Sequence, residues 1–187
     1  MISAKGYWVG GEAQSQHWHD PQLSIGLISF FERECPKGRI VDLGCGMGNY
    51  VKDFRREGLD AVGFDGNPNT PELTNGVCGV KDLSEPFTCF PPYDWVMSLE
   101  VGEHLPKQFE DTFIQNLHNN NMYGIVLSWA IEGQGGHGHV NERNNDYIRA
   151  KFEALGYESD MVSEKFLRRV ATLGWFKNTI MVFRRKH

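Results

Sequence analysis

The sequence predicts a doubly wound α/β domain. Three observations lead there. Seven short apolar runs have strand character, and amphipathic helical patterns fall between most of them. The connections are long enough for parallel crossovers and too long for tight hairpins. A glycine-rich turn follows the first run and opens a helix, the point at which such sheets present a ligand-binding edge.

The elements follow in order. Residues 1–19 are irregular, with three Gly, two Trp and two His. Asp20-Pro21 starts a helix, since Asp caps free N–H groups and Pro is tolerated in the first turn. Leu23, Leu27, Ile28 and Phe31 follow at helical spacing, and Cys35-Pro36-Lys37-Gly38 ends the helix. Arg39–Leu43 reads as a buried first strand. Tyr50, Val51 and Phe54 give the next helix face, stopped by Gly58. Ala61–Phe64 is a second strand, Val77–Val80 a weak third, Asp94–Leu99 a fourth and Gly124–Trp129 a fifth. Phe109, Phe113 and Leu117 mark a helix between the last two. Another helix starts near Asn144, with Ile148, Phe152 and Leu155 inward and Gly156 as its stop. Tyr157–Val162 and Phe176–Phe183 are expected late strands.

A chain of 187 residues makes one domain, 1–187, with 1–37 expected as an N-terminal lid segment and helix. Nineteen Lys and Arg stand against 24 Asp and Glu, a net charge of −5. That excludes a strongly basic nucleic-acid footprint over the whole chain. The N-terminus has no positive start followed by an apolar core, so no signal peptide is expected. No apolar run approaches about 18 residues, so no membrane span is expected. Cys35, Cys45, Cys78 and Cys89 are scattered without a CxxC pair and read as reduced thiols. The expected address is cytoplasmic.

Val41-Asp42-Leu43-Gly44-Cys45-Gly46-Met47-Gly48 is strand, glycine turn, helix. Glycines let the backbone approach a ligand without Cβ obstruction. Asp65 ends the second strand, 17 residues after Gly48, where a carboxylate accepts hydrogen bonds from a ribose diol. A dinucleotide site would place its third glycine at position 49, where Asn49 stands. Asp42 would repel a pyrophosphate but suits a cationic sulfonium or ammonium. The pattern favours a positively charged nucleoside ligand over NAD.

Val41–Gly48 resembles motif I of class I S-adenosylmethionine-dependent methyltransferases. Asp65 matches their ribose-binding acid, and Asp82-Leu83 resembles the acid-plus-apolar pair that flanks adenine. Asp94–Leu99 resembles their fourth strand and Trp175–Arg184 their last, antiparallel strand. The resemblance spans roughly residues 38–185. It implies a mostly parallel seven-stranded sheet with an antiparallel last strand, and S-adenosyl-L-methionine as cofactor. The implied cofactor-binding residues are Asp42, Gly44, Cys45, Gly46, Gly48, Asp65, Gly66, Asn67, Asp82, Leu83, Ser98, Leu99 and Glu100.

After the fourth strand come Glu100-Val101-Gly102-Glu103-His104. Glu100, Glu103 and His104 can share one side of a helical turn. The segment after the fifth strand carries His137 and His139 among glycines and faces the same crevice. This resembles two metal-dependent O-methyltransferase groups, one acting on small-RNA 3′ ends and one in the ubiquinone pathway. It implies a divalent metal (Mn, Mg, Fe, Co or Zn) on Glu100, Glu103, His104 and His139, with His139 a better match than His137. The loop to that histidine is much shorter here than in the RNA enzymes. His104 and His139 are the candidate catalytic residues, as metal ligands or as general base. Alternatively, Glu100 touches the methionine part of the cofactor, Glu103 and His104 cap and brace a helix, and His137 and His139 face solvent in a flexible loop.

Phe90-Pro91-Pro92-Tyr93 resembles a DNA amino-methyltransferase motif in letters, but it precedes the fourth strand rather than following it, and reads as a rigid turn. Lys165, Arg168, Arg169 and Arg184-Arg185-Lys186 read as a solvated face. The expected activity is O-methylation of a small hydroxylated acceptor. The alternatives are 2′-O-methylation of an RNA terminal nucleotide and a non-catalytic cofactor-binding module.

Overall fold

The computed structural model describes residues 2–9 and 17–186. Residues 1, 10–16 and 187, which include the middle of the expected lid segment, lie outside the described residues. One sheet of seven strands runs in the order β3-β2-β1-β4-β5-β7-β6. The strands are β1 (Arg39–Leu43), β2 (Asp60–Asp65), β3 (Cys78–Val80), β4 (Tyr93–Leu99), β5 (Asn121–Ser128), β6 (Tyr157–Ser159) and β7 (Met181–Arg185). β1 pairs parallel with β2 and β4, and β4 with β5. β7 is antiparallel to both β5 and β6. This is the expected doubly wound sheet with its antiparallel last strand.

The helices are α1 (Pro21–Glu34), α2 (Asn49–Arg56), α3 (Thr70–Leu73), α4 (Glu110–Asn119), α5 (Asn145–Ala154), α6 (Met161–Val170) and α7 (Phe176–Thr179). They split the core into two layers because neighbouring strand residues point to opposite faces. Ile40, Trp95, Met97, Val126 and Val182 pack on one side with Leu23, Phe31 and Phe54. Val41, Val96, Ile125, Leu127 and Phe183 pack on the other with Phe113, Leu117 and Phe152. Burial on both faces is why the strands read as continuous apolar runs.

Two late segments differ from expectation. The strand expected at Tyr157–Val162 stops at Ser159, and α6 begins at Met161. Asp160 accepts hydrogen bonds from the Val162 and Ser163 N–H groups, a helix N-cap that overrides the local β propensity. The strand expected at Phe176–Phe183 is divided into α7 and β7. β5 also starts at Asn121, three residues before the expected Gly124.

Asp20 does more than cap α1. Its buried carboxylate accepts from Gln22 and Leu23 N–H and also from Thr172 N, Thr172 Oγ1 and Leu173 N. Burial would raise its pKa, but the hydrogen bonds from Leu173, Leu23 and Thr172 prevail and hold it below the ordinary value. Asp20→Ala is expected to destabilise the protein by about 3 kcal/mol, from a lost cap and buried donors left unpaired. A depressed native pKa means this contribution is present above the unfolded pKa and is lost as pH falls through the native one. Thermal melts from pH 7 to pH 3 check both points; an unchanged melting temperature refutes the cap's role.

Candidate active site

The carboxyl ends of β1, β2 and β4 open into one cavity of about 290 Å³. Gly44 and Gly46 turn the chain with positive φ (88° and 51°). A Cβ at Gly44 would stand 2.3 Å from the Val101 side chain, so glycine is required there by space as well as by torsion. Asp65 locks the turn from β2. Its Oδ2 accepts from Gly46 N at 2.9 Å and its Oδ1 from Asn67 N at 2.9 Å. A carboxylate has further acceptor capacity, which Asp65 can offer to the cavity.

At the end of β3, Asp82 Oδ1 accepts from Ser84 N and Oγ, and Oδ2 from Lys5 Nζ at 2.7 Å. Burial alone would raise the Asp82 pKa; Lys5 and Ser84 bring it below its ordinary value. Asp42 is buried in the wall of the same cavity, and burial pushes its carboxyl well up.

Not every expected cofactor residue faces the cavity. Asp42, Gly44, Cys45, Asp65, Gly66, Asp82, Leu83, Leu99 and Glu100 line it. Gly46, Gly48, Asn67 and Ser98 are not among the lining residues, though Gly46 packs against His17, which is one of them. Ser98 Oγ donates to the Leu43 carbonyl at 2.6 Å and so joins β4 to the end of β1. Asn67 Oδ1 accepts from Asn69 N. Gly48 serves as the N-cap residue of α2, with φ 67°. The lining also includes Met47, Asn49, Tyr50, Gln134, Trp175 and Phe176, which the sequence reading did not assign to the site. Asn49 and Tyr50 were within reach, since the first turn of a helix after a glycine loop faces the ligand.

Glu100, Glu103 and His104 do not share one helical turn. Glu100 has φ 54° and precedes a single 3₁₀ turn, Gly102–His104. Its Oε2 accepts from Gln134 Nε2 at 2.7 Å and its Oε1 from Thr179 Oγ1 at 3.1 Å. Burial nevertheless raises its pKa. Glu103 is fully buried and its carboxylate has no side-chain partner; the N–H groups of Glu103 and Ala130 are the polar groups that face it. Burial and the neighbouring Glu100 push its pKa well up.

The donor atoms of Glu103, His104 and His139 all lie within 4.8 Å of one another. Glu100 is not part of that trio; its oxygens are engaged by Gln134 and Thr179. His104 Nδ1 lies 3.2 Å from the Gly138 carbonyl. A carbonyl only accepts, so Nδ1 carries the proton and Nε2 keeps its lone pair. Burial first, then His139, lowers the His104 pKa to about 4, so its ring is neutral at pH 7. His137 takes another role and stacks on Trp8 with centroids 5.2 Å apart.

The described N-terminal segment crosses the cavity mouth. Ile2 bridges to Trp8, and Lys5 bonds Asp82 and Glu85. Tyr7 lies against Gly66 and His17 against Gly46, at positions where a Cβ on either glycine would collide. Gly6 packs so close to His104 that a Cβ would stand 2.2 Å from the His104 carbonyl oxygen. Long-range contacts of this kind leave no periodic mark in a sequence. No helix among the described residues is long and apolar enough to cross a membrane.

Comparison with known proteins agrees with this geometry. A search of curated proteins finds no match to the chain. Magnesium protoporphyrin IX methyltransferase from Synechocystis PCC 6803, solved with bound SAH, superposes with a TM-score of 0.68 at 17% identity. That match covers 88% of this chain and 82% of the other. The amino pentose methyltransferase CalS10 from Micromonospora echinaspora, solved with SAM, gives a TM-score of 0.67 at 15% identity, covering 94% of each chain. The methyltransferase domain of bacterial CtHen1-C gives 0.62 at 16% identity, covering 89% of this chain and 98% of that one. At these identities the likeness establishes the fold. The family described as Methyltransferase domain matches residues 15–120, more than half of the chain. With the glycine turn, Asp65 and the 3-2-1-4-5-7-6 sheet, this places the chain in that family, as a class I S-adenosylmethionine-dependent methyltransferase.

Proposed function

We propose that this enzyme methylates the oxygen of a small hydroxylated acceptor, with Glu103, His104 and His139 holding a divalent metal beside the methyl donor. One observation carries the reading. A fully buried carboxylate with no side-chain partner stands among two imidazoles. An unpaired buried acid is costly, and a cation is the partner that relieves it. Mixed carboxylate and imidazole ligation suits Mn, Fe, Co or Zn at least as well as Mg. A bound divalent ion lowers the pKa of a hydroxyl that it coordinates.

The chain's own residues supply alignment and proton handling. Asp65 holds the ribose of the cofactor and Asp82 orients its adenine. Gly44 leaves room for the amino-acid end. The sulfonium of S-adenosylmethionine provides a methyl group open to in-line displacement. The acceptor oxygen would take that methyl group while the electron pair of the broken carbon–sulfur bond would stay on sulfur. The hydroxyl proton must leave; with both imidazoles ligating it passes to solvent, and in a metal-free site the His104 Nε2 would be the acceptor.

Incubation with methyl-labelled S-adenosylmethionine, a panel of small phenols, catechols and polyols, and an RNA with a free 3′ end tests the acceptor class. Label is expected on a small hydroxylated compound and is expected to be lost with a chelator. Label on the RNA end alone overturns the reading.

The N-terminal segment acts as the lid over this cavity. Its contacts with Gly66, Asp82 and His104 support that role. Deletion of residues 1–19 is expected to raise the Kd for S-adenosylhomocysteine about tenfold, a loss of about 1.4 kcal/mol. Calorimetric titration checks it; unchanged affinity and turnover eliminate the lid.

A further inference from the structure

We propose that Glu142 is a positioning residue that holds His139 in one tautomer and keeps its Nε2 available to the active site. The inference rests on the reading that His139 works at that site. Glu142 Oε1 lies 3.0 Å from His139 Nδ1. A carboxylate accepts, so Nδ1 carries the proton and Nε2 carries the lone pair.

The same carboxylate gathers the loop that delivers the histidine. Gly135 N donates to Oε1 at 2.7 Å and Gly133 N donates to Oε2 at 2.8 Å. Both glycines have positive φ, 84° at Gly133 and 69° at Gly135. That backbone turns successive N–H groups toward a common anion. Gly136 is required for a different reason. A Cβ there would stand 2.2 Å from His139 Nε2, so the ring occupies the space a side chain would fill.

The far side of the loop is tied to the residue His139 must meet. Val140 N and Asn141 N both donate to the Glu103 carbonyl, at 2.8 and 2.9 Å. One ring is therefore held from two directions. Glu142 sets its proton and its plane, and the Glu103 backbone sets its distance from the buried carboxylate. A carboxylate serving the loop alone would need only the two glycine N–H groups. The third bond, to the imidazole, links loop shape to histidine chemistry.

Two-bond ¹H–¹⁵N correlation spectra of the full chain, with ¹⁵N-labelled histidine, read the tautomer directly. Wild-type His139 is expected to carry its proton on Nδ1. Glu142→Ala is expected to lose that preference, and Glu142→Gln, whose amide oxygen still accepts, is expected to restore it. Titration with Mn²⁺ alone is expected to weaken about 10- to 100-fold in Glu142→Ala and to recover in Glu142→Gln. A wild-type His139 protonated on Nε2 overturns the proposal without any variant, as does an unchanged tautomer in Glu142→Ala. Absence of Mn²⁺ binding by the wild type overturns the metal reading alone, and the tautomer still decides the role of Glu142.

Discussion

Replacing Glu103 by glutamine is expected to stabilise the metal-free protein and to abolish its Mn²⁺ binding. Most substitutions of a buried polar residue destabilise, so the sign is diagnostic. Glu103 is fully buried with no side-chain partner at either oxygen. Glutamine keeps a polar group there but cannot ionise, so the substitution removes the cost of holding the carboxyl protonated above its unfolded pKa. For a chain of this size, each kcal/mol raises the melting temperature by about 2–4 °C.

The pH dependence adds a second signature. Burial and the adjacent Glu100 push the Glu103 pKa well above the ordinary carboxylate range. A raised native pKa means the folded state binds the proton more tightly. The resulting stability is full below the unfolded pKa and is lost as pH rises through the native one. Metal-free wild type is therefore expected to lose stability as pH climbs from about 4.5, and Glu103→Gln is expected to lack that contribution. Melts across pH 4–8, with and without Mn²⁺, measure both effects. A variant that is less stable than wild type and still binds Mn²⁺ with equal affinity refutes the role of Glu103.

Asp65→Ala is expected to abolish detectable binding of S-adenosylhomocysteine. Two losses combine. The carboxylate no longer accepts from the cofactor's ribose hydroxyls, each such bond contributing about 1.5–3 kcal/mol. The Gly46 and Asn67 N–H groups also lose their acceptor, so the glycine turn loses its brace. The affinity is expected to fall by more than about 100-fold. Asp65→Asn retains one acceptor oxygen and is expected to fall in between. Calorimetric titration with S-adenosylhomocysteine measures both variants. Wild-type affinity in Asp65→Ala would move the ribose to another residue.

Much of the frame was legible because its signals are local. Ile40, Val41 and Leu43 alternate faces within one buried run, and Gly44 and Gly46 adopt the positive φ that only glycine readily allows. Gly58 and Gly156 end their helices with φ near 87°, as their positions after apolar periodic stretches imply. Phe176–Phe183 misled because five of its eight residues are β-branched or aromatic, whereas Tyr157–Val162 has only Tyr157 and Val162 of those types. The readable warning was Asp160, a capping residue one place before the new helix. Among the site residues, Gly46, Gly48, Asn67 and Ser98 were read as cofactor contacts. They stand beside the residues that line the cavity.

By itself the sequence determined the doubly wound sheet, the glycine turn, the acids at the ends of β2 and β3, and the reach of two histidine-bearing loops toward one edge. Each of these follows from residue type and spacing along a few turns of chain. Only the tertiary structure decided that Glu100 is held by Gln134 and Thr179, that Glu103 has no side-chain partner beside His104 and His139, and that Tyr7 and His17 lie against Gly66 and Gly46. These are contacts between residues tens of positions apart. They are set by which side chains the packed layers leave room for, and a hydrogen-bond partner is assigned only when that packing is complete.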